Sequence, residues 1–433
     1  MLNHQLPPDT QAILLLCASF GQNRKTEPQP LTLTEYNTLA NCLRLQQLTP
    51  KNLLEETAKK QLLEMIIPLD PNRIIALLER GMLLSLAVEK WTSQGLWILG
   101  RSDPEYPRCL KQKLQHLAPA ILYGVGNFEQ LSQGGLAVVG SRDVDEEGLS
   151  YTDYIVQTCA EQGIQIISGG ARGVDQTAML VALNAGGNVV GVLGDSLAKS
   201  AVSSKYRNFI KSGNLALISS YDPDAGFNVG NAMGRNKYIY GLSDYGLIIS
   251  SSVDQGGTWA GAIEALEKIK TVPVFVRMQG TIPDGNQQLI NRGAKPFPEM
   301  PFNRPLQELI TDVIAMDQDA LSSIPNSEID LTLSPQTENE LKPASENSES
   351  QKDTPVYPVS QTIYEAVLPL IIRQLEQPKD AKSLAELLQV RPSQIQDWLN
   401  IAVSQGKVKK NKKPVTYEVN RDVSLLSFIS NKH

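Results

Sequence analysis

The stretch of sequence that decides the fold is ISGGARGVDQTAMLVALNAGGNVVGVLG, residues 167–194. A short apolar run leads into a glycine-rich turn, an amphipathic stretch follows, and a second apolar run ends the segment. Between the two runs, small apolar residues fall on one stripe of a helix: Val174, Ala178, Val181, Ala182 and Ala185. A strand, a turn, a helix and a strand in this order predict a parallel β-α-β unit.

The same pattern continues on both sides of this unit. Short, nearly continuous apolar runs occur at 136–140, 164–168, 188–194, 216–220, 245–251 and 272–277, separated by amphipathic segments. Strands that are apolar throughout are buried on both faces, which is typical of a parallel sheet covered by helices. We therefore predict a Rossmann-like α/β fold with a doubly wound, mostly parallel sheet.

Changes in composition predict four segments. Residues 1–95 are rich in Leu, Ala, Lys and Glu at helical spacing and predict a helical domain. Residues 96–305 form the α/β core, and 306–357 are rich in Ser, Pro, Glu and Asn, which is typical of an acidic flexible linker. Residues 358–433 predict three helices and a strand pair around the basic turn KVKKNKKPVTYEV, the order of a winged helix.

The net charge of −6 argues against a nucleic-acid partner only until its distribution is considered. Residues 316–354 alone carry nine acidic and two basic residues, which more than accounts for the acidity of the chain. No apolar run is long enough to span a bilayer, and the start MLNHQLPPDT lacks the order of a signal peptide. We expect a cytoplasmic protein without a membrane contact. Scattered cysteines and histidines predict neither a metal site nor a disulfide: Cys17, Cys42, Cys109, Cys159, His4, His116 and His433.

Two glycine loops at strand ends are suited to binding phosphate. The first follows the run 136–140 and contains Gly140, Ser141 and Arg142, which combine close backbone approach, a hydroxyl donor and a guanidinium fork. The second contains Gly169, Gly170 and Arg172 before a helix, where unpaired backbone N–H groups attract anions. Each loop taken alone also fits a simple role in packing, with a solvated arginine.

The third loop, VDQGGTWAGAIEAL (253–266), offers Gly256, Gly257 and Thr258 at a helix start, followed by Trp259. That tryptophan either stacks on a base or is buried in the core, and we favour burial. Upstream, GNAMGRNKYIYGLSD (230–244) places cations and an amide beside two tyrosines, which either contact a single strand or pack inward: Arg235, Asn236, Lys237, Tyr238 and Tyr240.

The three loops would meet at one edge of a doubly wound sheet, because ligands bind at the carboxyl ends of its strands. None of the loops pairs a nucleophile with a base, and the first turn reads G-S-R-D-V-D, not G-x-G-x-x-G. We therefore expect neither an enzyme nor a dinucleotide cofactor, and we expect no other cofactor.

The ordered motifs VVGSR, ISGGARGVDQTA, GRNKYIYGLSD, GGTWAGAIEAL and GNQQLINRGA (285–294) resemble the DNA-processing protein A (DprA/Smf) family. The segment YPRCLKQKLQHLAPAILYGVGN (106–127) resembles the family's lead-in. The resemblance implies binding of single-stranded DNA, dimerisation, and loading of a RecA-type recombinase during natural transformation and recombination. It also implies phosphate contacts from Arg142, Arg172, Arg235 and Lys237, a sterile-alpha-motif-like domain before the core, and a winged helix after it.

The sequence departs from the family pattern in two places. Ala178-Met179 stands where Ala-His is usual, and Gln255-Gly256-Gly257-Thr258 replaces a Ser-Gly-Ser turn. The second departure is similar to the Gly-Gly-x-Gly-Thr turn of the cytokinin-activating phosphoribohydrolases, with Glu264 as a weak catalytic candidate. The alternative functions are therefore a nucleotide-binding or nucleoside-monophosphate-cleaving enzyme, and a regulator that binds duplex DNA, or docks protein, through its basic wing: Lys407, Lys409, Lys410, Lys412, Lys413 and Arg421.

Overall fold

The computed structural model describes residues 6–21, 28–55, 57, 67–322, 363–375, 377–388, 390, 392–404, 406–412 and 415–420. Contacts divide the chain into two compact units, Met1–Ile329 and Asp330–His433. No helix in the described ranges is long and apolar enough to cross a membrane.

A nine-stranded sheet forms the centre of the larger unit, in the spatial order β1-β2-β6-β5-β4-β3-β7-β8-β9. The strands from β6 to β9 run parallel, whereas β1 and β2 pair antiparallel at one edge. The strands are β1 Trp97–Gly100, β2 Ile121–Val125, β3 Leu136–Val139, β4 Ile166–Ser168, β5 Val189–Val192, β6 Leu215–Ser219, β7 Tyr245–Ile248, β8 Val274–Val276 and β9 Lys295–Pro296. The predicted Rossmann-like, mostly parallel sheet is confirmed.

Both faces of the sheet are buried, which explains its nearly continuous apolar strands. Along β3, Leu136 and Val138 belong to one core cluster, whereas Ala137 and Val139 belong to the other. This alternation follows from the two-residue period of a strand. All six predicted strands are present.

Helices cover the two faces. Those of the larger unit are α1 Pro8–Cys17, α2 Leu33–Leu45, α3 Pro71–Leu78, α4 Gly81–Ser93, α5 Arg108–Leu114, α6 Glu146–Glu161, α7 Val174–Asn184, α8 Leu197–Ala201, α9 Ser204–Ser212, α10 Val229–Gly234, α11 Asn236–Leu242, α12 Gly256–Glu264, α13 Asp284–Ile290 and α14 Leu306–Ser322. The stripe predicted for α7 is partly wrong. Val174, Ala178 and Ala182 are buried, but Ala185 lies beyond the helix end and is exposed.

The N-terminal helices share a core with the sheet. Leu14 of α1 and Trp91 of α4 belong to the same buried cluster as Tyr123 of β2 and Leu136 of β3. The helical character of this region agrees with the prediction, while a separate domain ending at residue 95 stays a prediction. The contacts place these helices in one unit with the sheet.

The predicted start of the linker at residue 306 is wrong. Residues Leu306–Ser322 form α14, and Leu306 and Ile310 are buried in the core of the larger unit. The apolar spacing of this helix was masked by the acidic composition that follows it. The rest of the predicted linker, 323–357, lies outside the described residues.

The smaller unit has its own core, in which Ile371, Leu399 and Tyr417 are buried. Its elements are α15 Ile363–Gln374, α16 Ala381–Leu387, α17 Pro392–Ser404, β10 Val408–Lys412 and β11 Val415–Val419, the last two pairing antiparallel. This order agrees with the predicted helices and strand pair, and the winged helix stays a prediction. Lys413 and Arg421 of the predicted wing lie outside the described residues.

The sheet has one topological switch point. From β3 the chain adds β4, β5 and β6 on one side, and then returns to place β7, β8 and β9 on the other. Such a reversal opens a crevice at the carboxyl ends of the two central strands, where open α/β sheets bind their ligands. The loops after β3 and β7 flank this crevice.

Candidate nucleic-acid interface

A cavity of about 420 Å³, here called the switch-point cavity, occupies the crevice. Its walls are the loops after β3 and β7 together with α10 and the start of α11. Eight of the predicted site residues line it: Gly140, Ser141, Arg142, Arg235, Asn236, Gly256, Gly257 and Thr258.

A second cavity of about 380 Å³, here called the arginine cavity, opens beside the first. Arg142 and Arg235 line both cavities, and the loop after β4 adds Gly169, Gly170 and Arg172. The three glycine loops therefore lie together. Lys237, the remaining predicted contact, lines neither cavity, and its Nζ lies 5.3 Å from the centre of the Tyr238 ring.

The first and second loops pack backbone against backbone at Gly173. A Cβ atom at this position would lie 2.4 Å from the carbonyl oxygen of Ser141, and the residue has φ of +85°. A glycine is required here for both reasons. The position of Arg142 is thus coupled to the turn that leads into α7.

The third loop is fastened to its neighbours by two side chains. The Thr258 hydroxyl donates to the carbonyl oxygen of Gly140 over 2.9 Å, and the Asn236 amide donates to that of Gly257 over 2.8 Å. The Thr258 hydroxyl and the Asn236 amide, which the sequence predicts as phosphate contacts, therefore hold the loops in position. No side chain caps the first turn of α12, which leaves its backbone N–H groups as the anion-attracting feature of this loop.

Arg235 is held inside the protein. Its side chain is 7% exposed, it lies 3.5 Å from the Asp175 carboxylate, and it donates to the carbonyl oxygen of Val192 over 2.7 Å. Burial raises the pKa of Asp175 and lowers that of Arg235, and each effect is opposed by the other charge. The guanidinium lies against Gly169, where a Cβ atom would come within 1.5 Å of its Nη1. In this arrangement Arg235 shapes the wall between the cavities.

Arg142 and Arg172 are the exposed arginines of the two cavities. The Arg142 guanidinium lies 5.5 Å from the centre of the Phe227 ring. Arg172 forms an ion pair with Asp143, which links the second loop to the first. Of the residues predicted to contact phosphate, these two have the guanidinium groups that are most accessible to an incoming phosphate.

The sequence allows the aromatic residues near the site either to contact a nucleic acid or to pack in the core, and three of them pack in the core. Tyr238, Tyr240 and Trp259 are at most 6% exposed and belong to the core, so the expectation that Trp259 is buried is confirmed. Phe227, which the sequence analysis missed, is 60% exposed and lines both cavities. Phe227 follows the short loop DPDAG, and nothing in the neighbouring sequence marks it as a site residue. It belongs to the site because the loop after β3, which is distant in the sequence, places Arg142 against its ring.

The chemistry available at this site is recognition of anions. Within the described ranges, no group of three or more His, Cys, Asp or Glu side chains is placed to hold a metal ion. Glu264 lies at the far end of α12, about 9 Å along the helix axis from Thr258. It does not line either cavity.

Comparison with known proteins finds a matching family model over the central part of the chain. Residues 97–302 match the family model described as DNA recombination-mediator protein A. DNA processing protein DprA of Streptococcus pneumoniae is 30% identical over 181 residues, which are 41% of this chain and 63% of that protein. Protein Smf of Synechocystis is 31% identical over 36% of this chain and 39% of its own length.

The chain thus matches less than two thirds of the length of these two relatives. In three dimensions, the X-ray structure of DNA processing protein A from Streptococcus pneumoniae aligns with a TM-score of 0.53 at 20% identity. The alignment covers 71% of this chain and 98% of that structure, and it supports the fold.

Proposed function

This chain belongs to the DNA-processing protein A family, and on that premise we propose that it binds single-stranded DNA at the switch-point and arginine cavities. The observation that carries the proposal is the meeting of three glycine loops and two exposed arginines, Arg142 and Arg172, at the switch point of the sheet. A strand presents successive phosphates, so two neighbouring cavities are better suited to a strand than to a single small anion.

The chemistry favours a strand that is not paired. Each cavity has a volume near 400 Å³, so a base that enters one of them must be unpaired from any complementary strand. Cations along a groove hold the backbone of single strands, and an exposed ring beside them offers a surface for bases. Arg142 lies over Phe227 and places these two features side by side.

The wider function follows from the family. We propose that the protein is a cytoplasmic, non-enzymatic mediator of DNA uptake, natural transformation and recombination. In this role it holds single-stranded DNA for a RecA-type recombinase, and it acts as a homodimer. The proposed contacts are the accessible guanidinium groups of Arg142 and Arg172 and the backbone of the three glycine loops, with Arg235, Asn236 and Thr258 as their supports.

The experiment compares the wild type with Arg142→Ala in binding to oligo-dT over a range of salt. Removing one phosphate contact is expected to weaken binding and to lower the slope of log affinity against log salt by about 0.7. Arg108→Ala is the matched control, because Arg108 is exposed and lines neither cavity. Equal affinity and equal slope for the wild type and Arg142→Ala would contradict the assignment.

The competing function is that of an enzyme that binds or cleaves a nucleoside monophosphate. It relies on the Gly256-Gly257-Thr258 turn and on Glu264. Incubation with nucleoside monophosphates and chromatography for released base tests it directly. Release of base that Glu264→Gln abolishes would favour the enzyme over our proposal.

A further inference from the structure

One of the two exposed arginines already has an anionic partner inside the protein. Arg172 of the second loop forms an ion pair with Asp143 of the first loop, and their side chains are 74% and 84% exposed. The backbone N–H of Asp143 donates to the Ser141 hydroxyl over 3.1 Å, which holds the turn that presents the carboxylate. A carboxylate thus lies where a phosphate bound to Arg172 would lie.

The other arginines of the cavities differ from Arg172. Arg235 is buried with Asp175, and exchange of its partner would leave a buried charge unpaired. Arg142 forms no ion pair with any residue that the structure describes, and its guanidinium lies over Phe227. Arg172 is therefore the cation at which an internal anion and an external anion can exchange in water.

We propose that Asp143 is an affinity-determining residue that competes with DNA phosphate for Arg172. The proposal rests on the proposed function. In the free protein Asp143 neutralises Arg172. When a strand is anchored at Arg142, its next phosphate replaces the carboxylate, which turns into solvent at little cost because it is already exposed.

The exposure of the pair sets the size of the effect. Ion pairs between exposed side chains are weak, and they correspond to a factor of about two to five in an equilibrium constant. Asp143 therefore lowers the affinity for a strand without closing the site. A buried pair in the same place would close it.

The test is Asp143→Asn, which removes the charge while keeping the size of the side chain and the backbone donor to Ser141. Affinity for oligo-dT at low salt is expected to rise about two- to fivefold, and the gain should shrink as salt screens the pair. Asp254→Asn is the matched control, since Asp254 is an exposed acid of the third loop that pairs with no arginine among the described residues.

A double-mutant cycle with Arg172→Ala separates competition from a general effect of charge. In the Arg172→Ala background, Asp143→Asn is expected to give no more gain than Asp254→Asn gives. Provided that the wild type binds oligo-dT, two results overturn the inference. One is an unchanged or lower affinity for Asp143→Asn, and the other is a gain in affinity that persists without Arg172. Failure of the wild type to bind oligo-dT would instead overturn the proposed function.

Discussion

A methyl group at residue 169 has no room beside Arg235. In the Gly169→Ala variant the new Cβ atom would lie 1.5 Å from Nη1 and 2.1 Å from Cζ of this guanidinium. The backbone of residue 169 does not itself resist the substitution, because its φ is not positive. The damage therefore falls on the buried ion pair between Arg235 and Asp175.

The magnitude follows from the burial of that pair. A guanidinium pushed away from Asp175 leaves a carboxylate that is 8% exposed without its partner. Breaking a buried pair by removing one partner costs about 3–5 kcal/mol. Some relaxation at the neighbouring cavity would place the loss near the lower end, at about 3 kcal/mol, which lowers the melting temperature of a unit this large by about 5 °C or more.

The assay is thermal unfolding followed by circular dichroism, with Gly81→Ala as the control. A Cβ atom at residue 81 meets nothing within 4 Å, so this control should melt at the temperature of the wild type or slightly above it. In an Arg235→Ala background, Gly169→Ala should add little, because the group it displaces is gone. A Gly169→Ala variant that melts within 1 °C of the wild type, or an equal loss in both backgrounds, would show that residue 169 does not destabilise the protein through the Arg235–Asp175 pair.

Three further predictions follow from individual contacts. Gly173→Ala should cost about 1–3 kcal/mol of stability and weaken oligo-dT binding, since its φ of +85° is unsuited to alanine; an unchanged melting temperature contradicts this. Arg73 donates to Glu35 and lowers its pKa from 4.5 to about 2, so this pair stabilises the fold above pH 4.5 and loses that contribution as the pH falls towards 2. Glu35→Gln should therefore lower the melting temperature at pH 7 more than at pH 3, and an equal loss at both pH values argues against the pair. Burial raises the pKa of Cys17 and of Cys159 to about 12, so neither thiol should react with iodoacetamide in the native protein at pH 8, which mass spectrometry of the alkylated peptides checks.

The parallel core of the fold is predictable from sequence because its strands are buried on both faces. Runs such as 136–140 and 245–251 are apolar throughout, and the glycine loops after them mark the carboxyl edge. The family resemblance read from these loops is confirmed. The antiparallel strands β1 and β2 were missed, because WILG and ILYGV lie in a lead-in without the alternation of strand and helix that marks the rest. The edge strand β9 was missed as well, because its two residues form no apolar run.

The roles of individual site residues are less predictable, since they depend on contacts between distant segments. Arg235 and Arg172 have the same chemistry in the sequence, yet one is buried against Asp175 and the other is exposed beside Asp143. Thr258 similarly uses its hydroxyl on Gly140, more than a hundred residues away. Only the packing of the loops distinguishes a contact from a support.

Binding of single strands at the switch point is tested by comparing oligo-dT with duplex DNA of equal length, using the full chain at two salt concentrations. If the two cavities hold a single strand through its phosphates, oligo-dT binds more tightly than the duplex at both concentrations, and its affinity falls as salt rises. Equal or tighter binding of the duplex, or an oligo-dT affinity that does not change with salt, would contradict binding of a single strand at the switch point.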